Sequence, residues 1–187
     1  MLTELCVGAI VGGTVLWLWG AVSWMALPWH HATFLAFANE DEVVRLILTA
    51  CPRSGVYGLP APRASTDMDK AEREAADRAA HARMVAGPIV TAIVQRNGFG
   101  SVPMAMLRAY IIYMLASVAI TWLLLQSPQL GYWQQVAFVG VVGLSVAFIC
   151  RLPDWNWHGY STDYTAVNVA DHVVGAVLLG LALAAVV

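Results

Sequence analysis

LCVGAIVGGTVLWLWGAVSWMAL, residues 5–27, carries no charged side chain, and the run ends at Pro28. At about 1.5 Å of rise per residue, a helix of this length crosses the roughly 30 Å hydrocarbon core of a bilayer. Three further stretches have the same character: Pro103–Gln126, Tyr132–Cys150 and Tyr164–Val187. All are too long, and too uniformly apolar, for the alternating strands of a membrane barrel. The fold class that follows is an all-α membrane bundle of four transmembrane helices. Residues 1–31 hold the first helix, residues 103–187 the other three, and residues 32–102 form an extramembrane insert between helices one and two.

Composition supports this reading. Of 187 residues, 59% are hydrophobic and 12% charged, and the mean hydropathy is +0.66. A soluble domain carries about a quarter charged residues to keep its surface wet, and this chain has half of that. A net charge of -2, with ten Lys and Arg scattered along the chain, offers no phosphate-binding face, so nucleic acid is not expected as a partner. Cys6, Cys51 and Cys150 are odd in number and lack CxxC spacing, so no disulfide framework is implied. No Lys or Arg precedes the first apolar run, which is longer than the core of a cleaved leader, so the first helix is expected to stay attached. There is no P-loop, GxGxxG, nucleophile elbow or haem-attachment motif. No catalytic residue is assigned, no cofactor is indicated, and an enzyme is the less favoured reading.

The insert has its own pattern. Ala32–Ala50 places Phe34, Phe37, Val43, Val44, Ile47 and Leu48 on a recurring face, with Glu40, Asp41 and Glu42 on another, which reads as one amphipathic helix ended by Cys51-Pro52. Gly55–Leu59 is a short strand. Thr66 is a helix cap, followed by a helix from Asp67 to Ala86 with Asp69–Arg73 and Glu74–Arg78 at i,i+4. Ile89–Gln95 is a second strand, closed by the turn dipeptide Asn97-Gly98. The expected order is helix, strand, helix, strand, a small α/β cap.

Four crossings put both termini and the Ser127–Gly131 turn on one membrane face. The insert and the Arg151–Asp163 loop share the other. Arg45, Arg96, Arg108 and Arg151 lie near helix ends on the insert's side, and the opposite face has no basic residue. The rule that cytoplasmic loops carry the positive charge makes the insert cytoplasmic and the termini periplasmic.

Two constellations stand out. Leu27-Pro28-Trp29-His30-His31 and Leu152-Pro153-Asp154-Trp155-Asn156-Trp157-His158 each follow an apolar helix. The commoner explanation is an interfacial rim, with Trp29, Trp155 and Trp157 where one side of the ring is apolar and the other wet. The alternative is a metal site drawing on His30, His31, His158 and Asp154. In the last apolar stretch, Tyr164, Asn168, Asp171, His172 and Gly175 fall on one helical stripe. Ionisable groups inside a span are costly and face a bundle interior, a cavity or a partner. Asp171 is therefore expected either in a ligand or ion site or in an ion pair with Arg108, which lies at a similar depth. Gly8-x-x-x-Gly12, with Gly13, Gly20, Gly140, Gly143, Gly175 and Gly180, suits close approach of helix backbones, either within the bundle or against another subunit.

The motif order resembles that of a group of uncharacterised small bacterial integral membrane proteins. The motifs are Trp24-x-x-Leu27-Pro28-Trp29-His30, Phe37-x-Asn39-Glu40-Asp41, Ser54-Gly55-x-Tyr57-x-x-Pro60, Gly87-Pro88 and Trp155-Asn156-Trp157-x-Gly159-Tyr160. The resemblance covers most of the chain and implies a bacterial inner-membrane protein. It carries over no activity and no site residue. On function the sequence suggests a non-enzymatic accessory or scaffold subunit that docks onto a larger membrane complex, in contact with lipid and with other membrane subunits. The alternative is a small transporter or a ligand- or metal-binding membrane protein that uses the polar stripe and the Trp/His rim.

Overall fold

The computed structural model describes residues 1–60 and 68–187. They divide into two compact units, Met1–Leu35 with Ser101–Val187, and Ala36–Gly100.

The first unit is the membrane bundle. Its helices are α1 (Leu2–Ala21), α4 (Val102–Leu125), α5 (Tyr132–His158) and α6 (Thr162–Leu183), each long and apolar enough to cross a membrane, with α1 prolonged to Ala26 by a wider π turn, Val22–Ala26. Helix α1 packs against both α4 and α6, and α6 packs against α5. Each pair runs antiparallel. Along α1 and α4, the Ser117 hydroxyl donates to the Gly8 carbonyl at 2.6 Å, Thr14 meets Tyr110 at 3.1 Å, and Trp17 donates to the Met106 carbonyl at 3.3 Å.

Glycine makes these approaches possible. A Cβ on Gly8 would collide with Thr121, one on Gly12 with Ser117, and one on Gly143 with Ala176. A Cβ on Gly180 would sit 3.1 Å from the Cα and the carbonyl oxygen of Val136. The small-residue positions read from the sequence are thus helix contacts within one chain, where lipid supplies no hydrophobic drive and close packing must do so. Near the termini the bundle closes on a core of Leu124, Val139, Leu179 and Leu183, flanked by Ile120 and Phe138.

Several helix ends differ from expectation. Helix α5 does not stop at Cys150 but continues through Pro153 to His158. Proline removes one ladder bond without breaking the last turn here. Asp154 and His158 bridge that turn at 2.9 Å, and Gly159, left-handed at φ 73°, ends it. Helix α6 begins two residues before Tyr164, because the Ser161 side chain caps it by accepting from the Tyr164 amide at 3.2 Å.

The second unit contains α2 (Glu40–Ala50), β1 (Gly55–Leu59), α3 (Lys70–Ala86) and β2 (Val90–Val94), with β1 and β2 paired antiparallel from Gly55 opposite Val94 to Leu59 opposite Val90. The helix expected over Ala32–Ala50 is shorter. Residues 31–33 form a separate 3₁₀ turn, and α2 starts at Glu40. The acidic run is its first turn, where negative charge complements the helix dipole. Thr66 and Asp67 lie outside the described residues. The described part of α3 is capped by Asp69, which accepts from the Glu72 amide at 2.8 Å while Glu72 accepts from the Asp69 amide at 3.1 Å. This occupies Asp69, so the expected pair with Arg73 is replaced by a cap, whereas Glu74 and Arg78 do pair, at 3.9 Å. Arg96 donates to the Leu48 and Cys51 carbonyls, both at 2.7 Å, and closes the C-terminal end of α2.

Candidate functional site

The π turn that ends α1 points Ser23 toward α6. A π turn inserts one residue into the helical ladder and re-aims the side chains around it. Pro28 then stops the helix and returns the chain, so that Trp29 and His30 fold back onto Ser23. Ser23 and His30 are completely buried.

The Ser23 hydroxyl donates to Asp171 Oδ1 at 2.6 Å. Trp29 Nε1 lies 3.1 Å from both the Ser23 hydroxyl and the Ser23 carbonyl. His30 Nε2 is 3.1 Å from the same hydroxyl and 3.6 Å from Asp171 Oδ2. Since the hydroxyl proton is committed to the carboxylate, the consistent tautomer has the proton on Nε2, donating to Ser23. The other ring nitrogen, Nδ1, is buried and has no hydrogen-bond partner among the described residues. Trp24 stacks on the imidazole at 3.9 Å with planes 7° apart, and Trp29 meets it edge-on. On the far side, Trp19 Nε1 donates to the Asp171 carbonyl at 3.1 Å. Three residues capable of a nucleophilic triad meet here, but not as one. A triad places serine and carboxylate on opposite imidazole nitrogens, whereas both lie at Nε2 here and the serine is sealed from substrate.

Next to this network the bundle holds a cavity of about 250 Å³. All four long helices wall it, with Trp19 from α1, Tyr113 and Ala116 from α4, Val142 from α5, and Asp171 and His172 from α6. The core residues Ile120, Val139 and Leu179 line its other end. The His172 ring is oriented from its own helix. Its Nδ1 donates to the Asn168 carbonyl at 2.8 Å, and Asn168 in turn donates to the Tyr164 carbonyl at 2.8 Å. In the neutral ring this leaves His172 Nε2 as an acceptor.

The residues singled out in the sequence separate into groups. Asp171 and His172 share the cavity, and Asn168, buried, orients His172. Tyr164 packs in an aromatic group with Tyr160 and Phe34. Arg108 does not pair with Asp171. Among the described residues, the contacts to the Asp171 carboxylate come from Ser23 and His30. Matching depth is not sufficient: Arg108 is two positions from Met106 and Tyr110, which face α1, and two positions turn a helix by about 200°. The metal quartet does not assemble either. His30 is held by Ser23, His31 donates to the Trp24 carbonyl at 3.2 Å, and His158 pairs with Asp154. Among the described residues, no group of three His, Cys, Asp or Glu could hold a metal ion. Trp155 and Trp157 are exposed at the end of α5, while Trp29 has turned inward.

Sequence reasoning missed Ser23, Trp19, Trp24 and Tyr113. One serine in an apolar helix is unremarkable, and only its spacing from Pro28 hinted at a chain reversal. Fold and site together define a small multi-pass membrane protein with a buried serine–histidine–aspartate network beside a bundle cavity. No family model, curated protein or solved structure matches the chain.

Proposed function

We propose that the protein is a non-enzymatic ligand-binding protein of the bacterial inner membrane, with the cavity between its four spans as the site for a small amphipathic molecule. The observation that carries this reading is the cavity itself, with Asp171 and His172 at one end and an apolar core at the other. Ligand pockets join a mostly apolar wall to a few convergent polar groups in this way. At about 250 Å³ it falls just below the roughly 300–1,000 Å³ typical of pockets for drug-sized ligands, so the guest is small. The bacterial membrane follows from the resemblance in motif order. The orientation, insert cytoplasmic and termini periplasmic, follows from Arg45, Arg96, Arg108 and Arg151. The accessory-subunit reading rests on the exposed apolar faces of the helices, such as Ile111, Ile112, Leu115 and Trp122. Contact with lipid alone demands those faces, so they do not favour docking.

Photolabelling with a diazirine-bearing hexanol, followed by mass-spectrometric mapping, tests the reading. Adducts are expected on Tyr113, Val142 or His172 and should disappear in Ala116→Phe, which fills the cavity from α4. Labelling confined to outward residues such as Ile112 and Trp122 would contradict it.

A further inference from the structure

The cavity has a chemical sign. Its polar wall consists of Asp171, His172, Tyr113 and Trp19, and among the described residues no Lys or Arg lines it. The Trp19 N–H is already committed to the Asp171 carbonyl. His172 has spent its Nδ1 proton on Asn168 and presents an acceptor. Asp171 is a carboxylate inside a membrane-spanning helix. Among the described residues its partners are a serine hydroxyl at 2.6 Å and an imidazole nitrogen at 3.6 Å, and neither is a fixed cation. A carboxylate withdrawn from water is costly unless a positive group or several donors face it. The wall thus offers acceptors and lacks free donors apart from the Tyr113 hydroxyl.

Resting on the ligand-binding reading above, we infer that the cavity selects a guest with a protonated amine at one end and a short apolar body. The ammonium lies against the Asp171 carboxylate and His172 Nε2, and the body runs toward Ile120, Val139 and Leu179. From Asp171 to Leu179 the helix advances about 12 Å, which suits a short alkyl or single-ring body. An anionic head has no cation to meet. A neutral alcohol fits the space but leaves the carboxylate uncompensated.

The test is competition against the diazirine-bearing hexanol in a non-ionic detergent, using hexylammonium, 1-hexanol and hexanoate. Hexylammonium is expected to displace the cavity label at about tenfold lower concentration than hexanol, the gain of a charged over a neutral hydrogen-bonded contact. Hexanoate is expected to be the weakest competitor. Asp171→Asn should erase the advantage of hexylammonium over hexanol. The ranking in the unaltered protein decides the matter without the variant, should the variant fail to fold. Equal competition by all three compounds, or a preference for hexanoate, overturns the inference while leaving the cavity reading in place. Absence of label from the cavity overturns both.

Discussion

Replacing Ser23 by alanine tests the network at its centre. The Ser23 hydroxyl donates to Asp171 at 2.6 Å and lies 3.1 Å from both His30 Nε2 and Trp29 Nε1. Without it Trp29 keeps the Ser23 carbonyl at 3.1 Å, so its bonding survives. His30 Nε2 keeps only Asp171 Oδ2 at 3.6 Å, too long for a hydrogen bond, and the ring is then buried with neither nitrogen satisfied. A hydrogen bond to a charged acceptor contributes about 1.5–3 kcal/mol and a neutral one about 0.5–1.5. Hydrogen bonds between membrane helices average lower, roughly 0.6 kcal/mol, because the unfolded helices also find partners. The carboxylate acceptor and the sealed histidine argue for the upper part of that span, and Ser23→Ala is expected to lose about 2 kcal/mol. Unfolding in mixed micelles followed by tryptophan fluorescence measures it. Ser145→Ala is the control: its hydroxyl bonds back to the Val141 carbonyl of its own helix at 2.9 Å, so little should change. A Ser23→Ala loss within about 0.5 kcal/mol of that control would refute the network as a stabilising unit.

Three further outcomes follow from the packing. Gly180→Ala forces a Cβ to 3.1 Å from the Val136 backbone, whereas Gly140→Ala meets Val177 at an ordinary 3.6 Å. The first should lose about 1–3 kcal/mol in the same unfolding assay and the second little. A double-mutant cycle of Arg108→Ala with Asp171→Asn should be additive within about 0.5 kcal/mol, while Ser23→Ala with Asp171→Asn should couple well beyond that. In the insert, Arg96→Ala removes the donor to the Leu48 and Cys51 carbonyls. Hydrogen exchange at the Cys51 amide, bonded to the Ile47 carbonyl at 2.8 Å, should then quicken roughly tenfold as the last turn frays.

What was legible in the sequence follows the physics of each feature. The four spans were plain because a bilayer demands long uninterrupted apolar runs, and hydropathy records that demand directly. The two strands are plain too: the sequence marks Gly55–Leu59 and Ile89–Gln95, the structure forms Gly55–Leu59 and Val90–Val94, and Gly98, with φ 72°, turns the chain at the Asn97-Gly98 dipeptide, whereas the pairing of the strands across α3 is not written in their pattern. Helix ends were less plain, since Ser161 and the Asp154–His158 pair decide them through local hydrogen bonds that hydropathy ignores. The site was half legible. Asp171 and His172 are marked by their cost inside a span, but depth along the helix axes, which is all the sequence gives, points to Arg108 as the partner of Asp171. Rotation about those axes turned Arg108 away. A π turn and a chain reversal at Pro28 brought in Ser23 and His30 instead. The cost of a carboxylate inside a span marks Asp171 in the sequence; which side chains reach it depends on three-dimensional direction.

The central claim, a built cavity that holds one small guest beside Asp171, is tested most directly by native mass spectrometry of the detergent-released protein with hexylammonium added. One bound ammonium per chain is expected in the unaltered protein and in Ile112→Phe, whose side chain points out of the bundle, and none in the cavity-filled Ala116→Phe. A ladder of several adducts of equal intensity in all three proteins would mean that the compound merely coats apolar surface, and would contradict the account.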